Sequence, residues 1–214
     1  MDETDLRRSI MARASQEFAR YGYAKTTTGE IAAACGISKK TLYRLFRTKE
    51  DLFREVALLH LNDIRGKFDE LSRDKRLTLI DKLWESMRVL TEKITDIGSF
   101  LREKPGIPDT VFTQLLHMRQ DIIVGFYRKL FRQGVRNGSI NRRVNEKVFI
   151  IILMTIVQSL FTPEKLATLP LSNIELFDGV ACTLLEGVLS DRERITFRQK
   201  PPVLPAERKE YWHA

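Results

Sequence analysis

The chain has 214 residues, with 36 Lys/Arg against 28 Asp/Glu for a formal net charge of +8. That length accommodates one small domain plus one with a sizeable core, and the positive balance favours a polyanionic partner. Two cysteines, Cys35 and Cys182, read as small buried hydrophobes and exclude a disulfide framework or a cysteine metal cluster. Residues 1–5 are acidic and polar and the apolar residues after them are periodic, so no signal peptide is expected and a cytoplasmic location follows.

The first helix is expected over residues 4–21, with Ile10, Ala14, Phe18 and Tyr21 on its apolar face. A second, over 28–35, carries Ile31, Ala32 and Cys35 on one face, and Thr27 with Glu30 has capping-box spacing at its start. Gly36 stops it, because glycine takes the left-handed conformation that turns the chain sharply. Ser38 then caps a third helix over 39–46, in which Leu42, Leu45 and Phe46 face inward. Lys39, Lys40, Thr41, Tyr43 and Arg44 are left outside, and those residue types touch phosphates and base edges in a major groove. Two short helices about a glycine turn, the second basic at its start, make a helix-turn-helix. Residues 1–50 hold ten Lys/Arg and six Asp/Glu, a net of +4, so half the charge excess lies in about a quarter of the chain.

Phe18 to Tyr23, Thr27-Thr28 through Ile31-Ala32, Gly36-Ile37-Ser38, Thr41 to Phe46 and Lys49 to Leu52 together resemble the N-terminal domain of TetR-type transcriptional regulators. The resemblance implies a dimeric, all-helical bacterial regulator, usually a repressor, released from DNA when a small molecule binds its larger C-terminal domain. It also implies roles for particular residues: Thr27, Thr28, Tyr43 and Lys49 on phosphates, and Lys39, Lys40, Thr41 and Arg44 reading bases. Gly29 departs from the pattern, standing where several relatives carry a basic base-contacting residue, which puts readout from the second helix in doubt.

A fourth helix begins near Lys49 and runs through Leu52, Val56, Leu59, Ile64 and Phe68 to about Leu71, with Gly66 as a point where a bend is permitted. The expected domains are 1–48 for DNA binding, 49–190 for effector binding and dimerisation with 49–71 as the connecting helix, and 191–214 as an irregular tail. A fifth helix, 77–100, repeats apolar residues at helical spacing, and a Pro-Gly-Pro break precedes a sixth over 110–137. Relatives line a pocket from these middle helices, which nominates Trp84, Met87, Phe100, Phe112, Leu116, His117, Phe126 and Tyr127. The same aromatic and methionine stripe equally suits plain core, and His117 equally suits a surface histidine.

The run Val148 to Phe161 is the most apolar in the chain, but it is shorter than the roughly 20 residues a spanning helix needs and contains Thr155, Gln158 and Ser159. It is expected to be buried on all sides, partly by a partner subunit. The last long helix, 172–190, is apolar along Ile174, Phe177, Val180, Ala181, Leu184, Leu185 and Val188. The resemblance makes these two segments a four-helix dimer interface, with Ile151, Met154, Ile156, Phe177, Val180, Ala181, Leu184 and Val188 in it. Packing within one subunit is the alternative.

No strand pattern occurs, so the fold class is all-α: a three-helix DNA-binding domain joined by a long helix to a larger helical domain. Its three histidines, His60, His117 and His213, are far apart and lie in no nucleophile, metal or phosphate-loop motif, so neither an enzyme nor a cofactor is expected. The partners expected are double-stranded palindromic DNA, a second copy of the chain and a small-molecule effector, with no membrane. A helical protein-interaction module whose basic charge is incidental is the rival reading.

Overall fold

The computed structural model describes residues 2–102, 106–160, 165 and 168–199. Among them are nine helices: α1 Glu3–Lys25, α2 Thr28–Ala34, α3 Lys39–Leu45, α4 Lys49–Arg73, α5 Leu79–Arg102, α6 Asp109–Asn137, α7 Glu146–Ser159, α8 Asn173–Val188 and α9 Asp191–Gln199. Strands are absent among the described residues apart from one isolated antiparallel bridge, Ile140 with Leu189. Among the described residues no helix is long and apolar enough to cross a membrane.

Two compact units divide these helices: residues 2–65 with 93–122, and 66–92 with 123–199. In the first, Ile10, Ala14 and Phe18 of α1, Ile31 and Ala32 of α2, Leu42 and Leu45 of α3, and Leu52, Phe53 and Val56 of α4 are all buried. Phe18 meets Phe53 edge-on at 5.3 Å between ring centroids, and Tyr23 meets Phe53 at 5.0 Å. Each such side chain removed from water stabilises the fold by roughly 1.5–3 kcal/mol. The regular part of α1 ends where the sequence predicts, because Gly22 takes φ +76° inside the assigned helix. Tyr21, counted with the apolar face of α1, is 48% exposed, and so is Leu59 of α4 at 52%. Gly66 lies within α4, which runs on to Arg73.

The second unit packs Phe68 against Phe126 with rings 4.2 Å apart and nearly parallel, and Tyr127 edge-on to both. The Ser86 hydroxyl lies 2.9 Å from the Tyr127 hydroxyl and 2.8 Å from the Leu83 carbonyl oxygen, so the one buried tyrosine oxygen here is bonded. Lys82 is also buried and donates through Nζ to the Ser72 carbonyl at 3.1 Å. Backbone bonds from Asn141 N to Val188 O and from Ser190 N to Ser139 O tie the turn after α6 to the end of α8. The cysteines are half-buried rather than buried, and desolvation pushes both thiols above their usual range.

One expectation for the C-terminal part needs correction. Residues 191–199 are helical, not irregular, with Phe197 buried and Arg198 paired to Glu186 at 2.7 Å; residues 200–214 lie outside the described residues. Helix α7, expected to be buried partly by its own chain and partly by a partner subunit, is covered on one side within the single chain. Phe149, Ile150, Leu153 and Met154 are buried, but Val148, Ile151 and Ile152 are 51%, 64% and 45% exposed. One chain covers only one side of this helix, and hydrophobicity all round does not say what covers the other.

Candidate nucleic-acid interface

Local rules fix the ends of α2 and α3. Thr27 caps α2 and forms the full capping box: Glu30 N donates to Thr27 Oγ1 at 3.2 Å, and Thr27 N and Oγ1 donate back to Glu30 Oε2 at 2.9 and 2.8 Å. These bonds hold the Glu30 carboxyl below its usual range, the Thr27 hydroxyl contributing most. Gly36, at φ +66°, supplies the left-handed turn. Ser38 then caps α3, accepting from Thr41 N at 3.0 Å and lying 2.9 Å from the Thr41 hydroxyl.

The first turn of α3 differs from every other helix start among the described residues. Each of the other eight carries at least one Asp or Glu in its first turn. By contrast α3 has none and opens on Lys39-Lys40, both exposed. Cations at the positive end of a helix dipole cost stability in an isolated protein, and an external anion relieves that cost.

The expected contact residues fall into distinct groups. Lys40 and Arg44 are four apart on one exposed face of α3, and Arg44 leans toward Glu3 at 3.8 Å in an ion pair too exposed to hold it firmly. Lys39 and Tyr43, likewise four apart, face α2. The Tyr43 hydroxyl is 2.9 Å from Thr28 Oγ1, and this pair has two protons for one mutual bond, leaving one O–H to donate outward. Thr41 is half-buried against its cap. Within the chain, both the N–H and the O–H of Thr27, expected on phosphate, go to Glu30. Lys49 is half-buried at the start of α4, its ammonium 4.1 Å from the centre of the Tyr23 ring. Burial pushes that lysine down while Glu30 pulls it up.

Sequence reasoning missed the group that holds α3 from behind. Arg7 of α1 donates through Nη1 to the Leu45 carbonyl at 2.7 Å, donates through Nη2 to both carboxylate oxygens of Glu55 of α4, and stacks 4.5 Å from the Phe46 ring centre. The partners lie 38 and 48 residues away along the chain, so no local pattern marks them.

Of the nominated effector residues, Trp84, Met87, Phe126 and Tyr127 are buried in the second unit. In the first unit Phe112 and Leu116 are half-buried and His117 is exposed, while the side chain of Phe100 lies outside the described residues. A cavity of about 410 Å³ in the second unit is lined by Lys67, Glu70, Asp74, Arg76, Glu85, Arg88 and nearby aliphatic residues, none of them nominated. Of the nominated dimer residues, Ile151 is exposed and Ile156, Val180 and Leu184 are half-buried. Met154, Ala181 and Val188 are buried within the single chain, at 9%, 0% and 6% exposure. The side chain of Phe177 is outside the described residues.

Residues 10–56 match the family model described as bacterial regulatory proteins, tetR family. The transcriptional repressor DhaR of Mycobacterium sp. (strain GP1) is 23% identical over 200 residues, covering 92% of this chain and 98% of that one. Among solved structures, a TetR-family transcriptional regulator from Agrobacterium tumefaciens superposes with a TM-score of 0.71 at 16% identity, over 88% of this chain and all of that one. AibR, solved in complex with isovaleryl coenzyme A and operator DNA, superposes at 0.63 with 20% identity, over 84% of this chain and 98% of that one. These likenesses establish the fold.

Proposed function

We propose that this chain, a TetR-family regulator by its N-terminal domain, is a sequence-specific DNA-binding transcriptional repressor that binds a palindromic operator as a dimer and is released by a small-molecule effector. The carrying observation is α3: its leucines are buried, its first turn has no acidic residue, and Lys39, Lys40, Tyr43 and Arg44 are exposed. Lys39, Lys40, Thr41 and Arg44 read bases, Thr28 and Tyr43 position the domain on phosphates, and Lys49 joins them by leaving the Tyr23 ring. Binding, not catalysis, is the activity, and the cytoplasm is where it takes place.

Dimerisation is supported by the uncovered apolar side of α7, where Val148, Ile151 and Ile152 stand beside Thr155. Two recognition helices related by a two-fold axis meet major grooves roughly 34–36 Å apart or a multiple of it, which requires an imperfect palindrome. Effector release is a population shift: the ligand favours a subunit geometry whose α3 helices no longer match the half-site spacing. AibR, with its coenzyme A thioester and operator, is a relative in which both kinds of partner are bound.

The test is selection of duplex DNA from a random pool by the full chain at about 0.15 M salt, where screening weakens purely electrostatic binding. The expected result is one palindrome, which Tyr43→Phe binds more weakly whatever the base sequence. Recovery of no consensus would refute the reading and favour the helical interaction module.

A further inference from the structure

Gly29 and Lys39 meet at a point that the assignment of contacts above does not use. A Cβ placed on Gly29 falls 2.6 Å from Lys39 Cε and 3.1 Å from Lys39 Nζ. The lysine tip therefore lies across the first turn of α2, in space that any other residue would fill. One residue earlier in α2, Thr28 bonds Tyr43, and Lys39 and Tyr43 form one stripe of α3. The two helices thus touch at adjacent points along that stripe. One is a hydrogen bond, and the other exists because residue 29 has no side chain.

Conformational freedom does not account for this glycine, since its φ is not positive and it lies inside α2. Its effect is steric. The obstructed atoms are the far end of a flexible side chain, so a methyl group at 29 displaces the lysine tip and leaves the backbone in place. Helix α2 itself has no basic residue, and by this arrangement α3 lays an ammonium along its edge. A lysine held there donates to the acceptor edge of a guanine, O6 or N7, in the major groove.

We propose that Gly29 is a specificity-determining residue, whose missing side chain sets where the Lys39 ammonium reaches and hence which base pair Lys39 reads. The inference rests on the DNA-binding function proposed above. Its test runs the random-pool selection on the wild-type chain, Gly29→Ala, Lys39→Ala and the double variant, with a melting curve for each. Gly29→Ala is expected to melt no lower than wild type and to keep the rest of the palindrome. Its preference at one base pair per half-site falls by about tenfold, the scale of one good base contact. Lys39→Ala loses preference at that same base pair, and the double variant loses no more than either alone. If Gly29→Ala keeps the wild-type preference, or relaxes a different base pair from Lys39→Ala, the proposal is wrong while repressor function stands. A wild-type pool without consensus overturns both.

Discussion

Replacing Arg7 with methionine tests whether α3 is held in place from behind. The substitution keeps most of the aliphatic stem and removes three interactions at once: the bond to the Leu45 carbonyl, the pair with Glu55 and the stacking on Phe46. The carbonyl belongs to the last turn of α3, where acceptors have no partner within the helix. A bond to it from a charged donor contributes about 1 kcal/mol net. The ion pair is about one-third exposed on both sides, which screens it to about 0.5 kcal/mol, and the ring contact adds about 0.5 kcal/mol. The expected loss is thus about 2 kcal/mol, or about 4–8 °C in melting temperature for a chain of this size unfolding as one unit. Urea unfolding followed by circular dichroism reads it, and Glu55→Gln completes a double-mutant cycle with an expected coupling of about 0.5–1 kcal/mol. Operator affinity at a temperature where both proteins are folded falls as well, because the freed element is α3. A loss below about 0.5 kcal/mol, or strict additivity with Glu55→Gln, would refute the account of Arg7 as the anchor of α3.

Gly134→Ala should behave opposite to Gly29→Ala although both glycines are helical. Its Cβ falls 2.6 Å from Cδ2 of half-buried Leu79 and 2.7 Å from two atoms of buried Ile140, so overpacking costs about 1–3 kcal/mol in urea unfolding; a wild-type midpoint would show that the packing yields. Ile151→Glu places a charge on a side chain that is 64% exposed in the single chain, so it should leave the fold intact and shift sedimentation velocity from dimer to monomer. A dimer that persists in Ile151→Glu would remove that face of α7 from the interface. Burial raises the Tyr127 phenol well above its ordinary range, so the folded protein keeps a proton that the unfolded chain releases near pH 10. Stability from this source is complete below that pH and is lost as pH rises through it. Tyr127→Phe should therefore lose less of its stability than wild type between about pH 9 and pH 11, and equal slopes would argue against a buried neutral phenol.

Helix positions were legible because their signals are local. The capping boxes, Gly36 and Ser38 act within a few residues, and the ends of α2 and α3 follow them to within one residue. Resemblance then marked Thr28, Lys39 and Tyr43, and the structure added that they form one contact stripe. The same locality explains the misses. Periodicity says that a face is apolar but not what covers it: α7 was expected to be covered partly by a partner subunit, and its own chain leaves Val148, Ile151 and Ile152 uncovered. It gave Tyr21 to the apolar face of α1 and left residues 191–199 without a helix, although packing buries Phe197 there. The resemblance put Thr27 on phosphate, and the structure adds that its capping box engages both of its donors within the chain. The sequence by itself determined an all-helical chain with a basic helix-turn-helix near its start, because turns, caps and helical faces are set by neighbours along the chain. Only the tertiary structure decided that Arg7 anchors α3 to α4 and that Lys39 lies over Gly29, because those contacts join residues 48 and 10 positions apart whose meeting depends on how the helices pack.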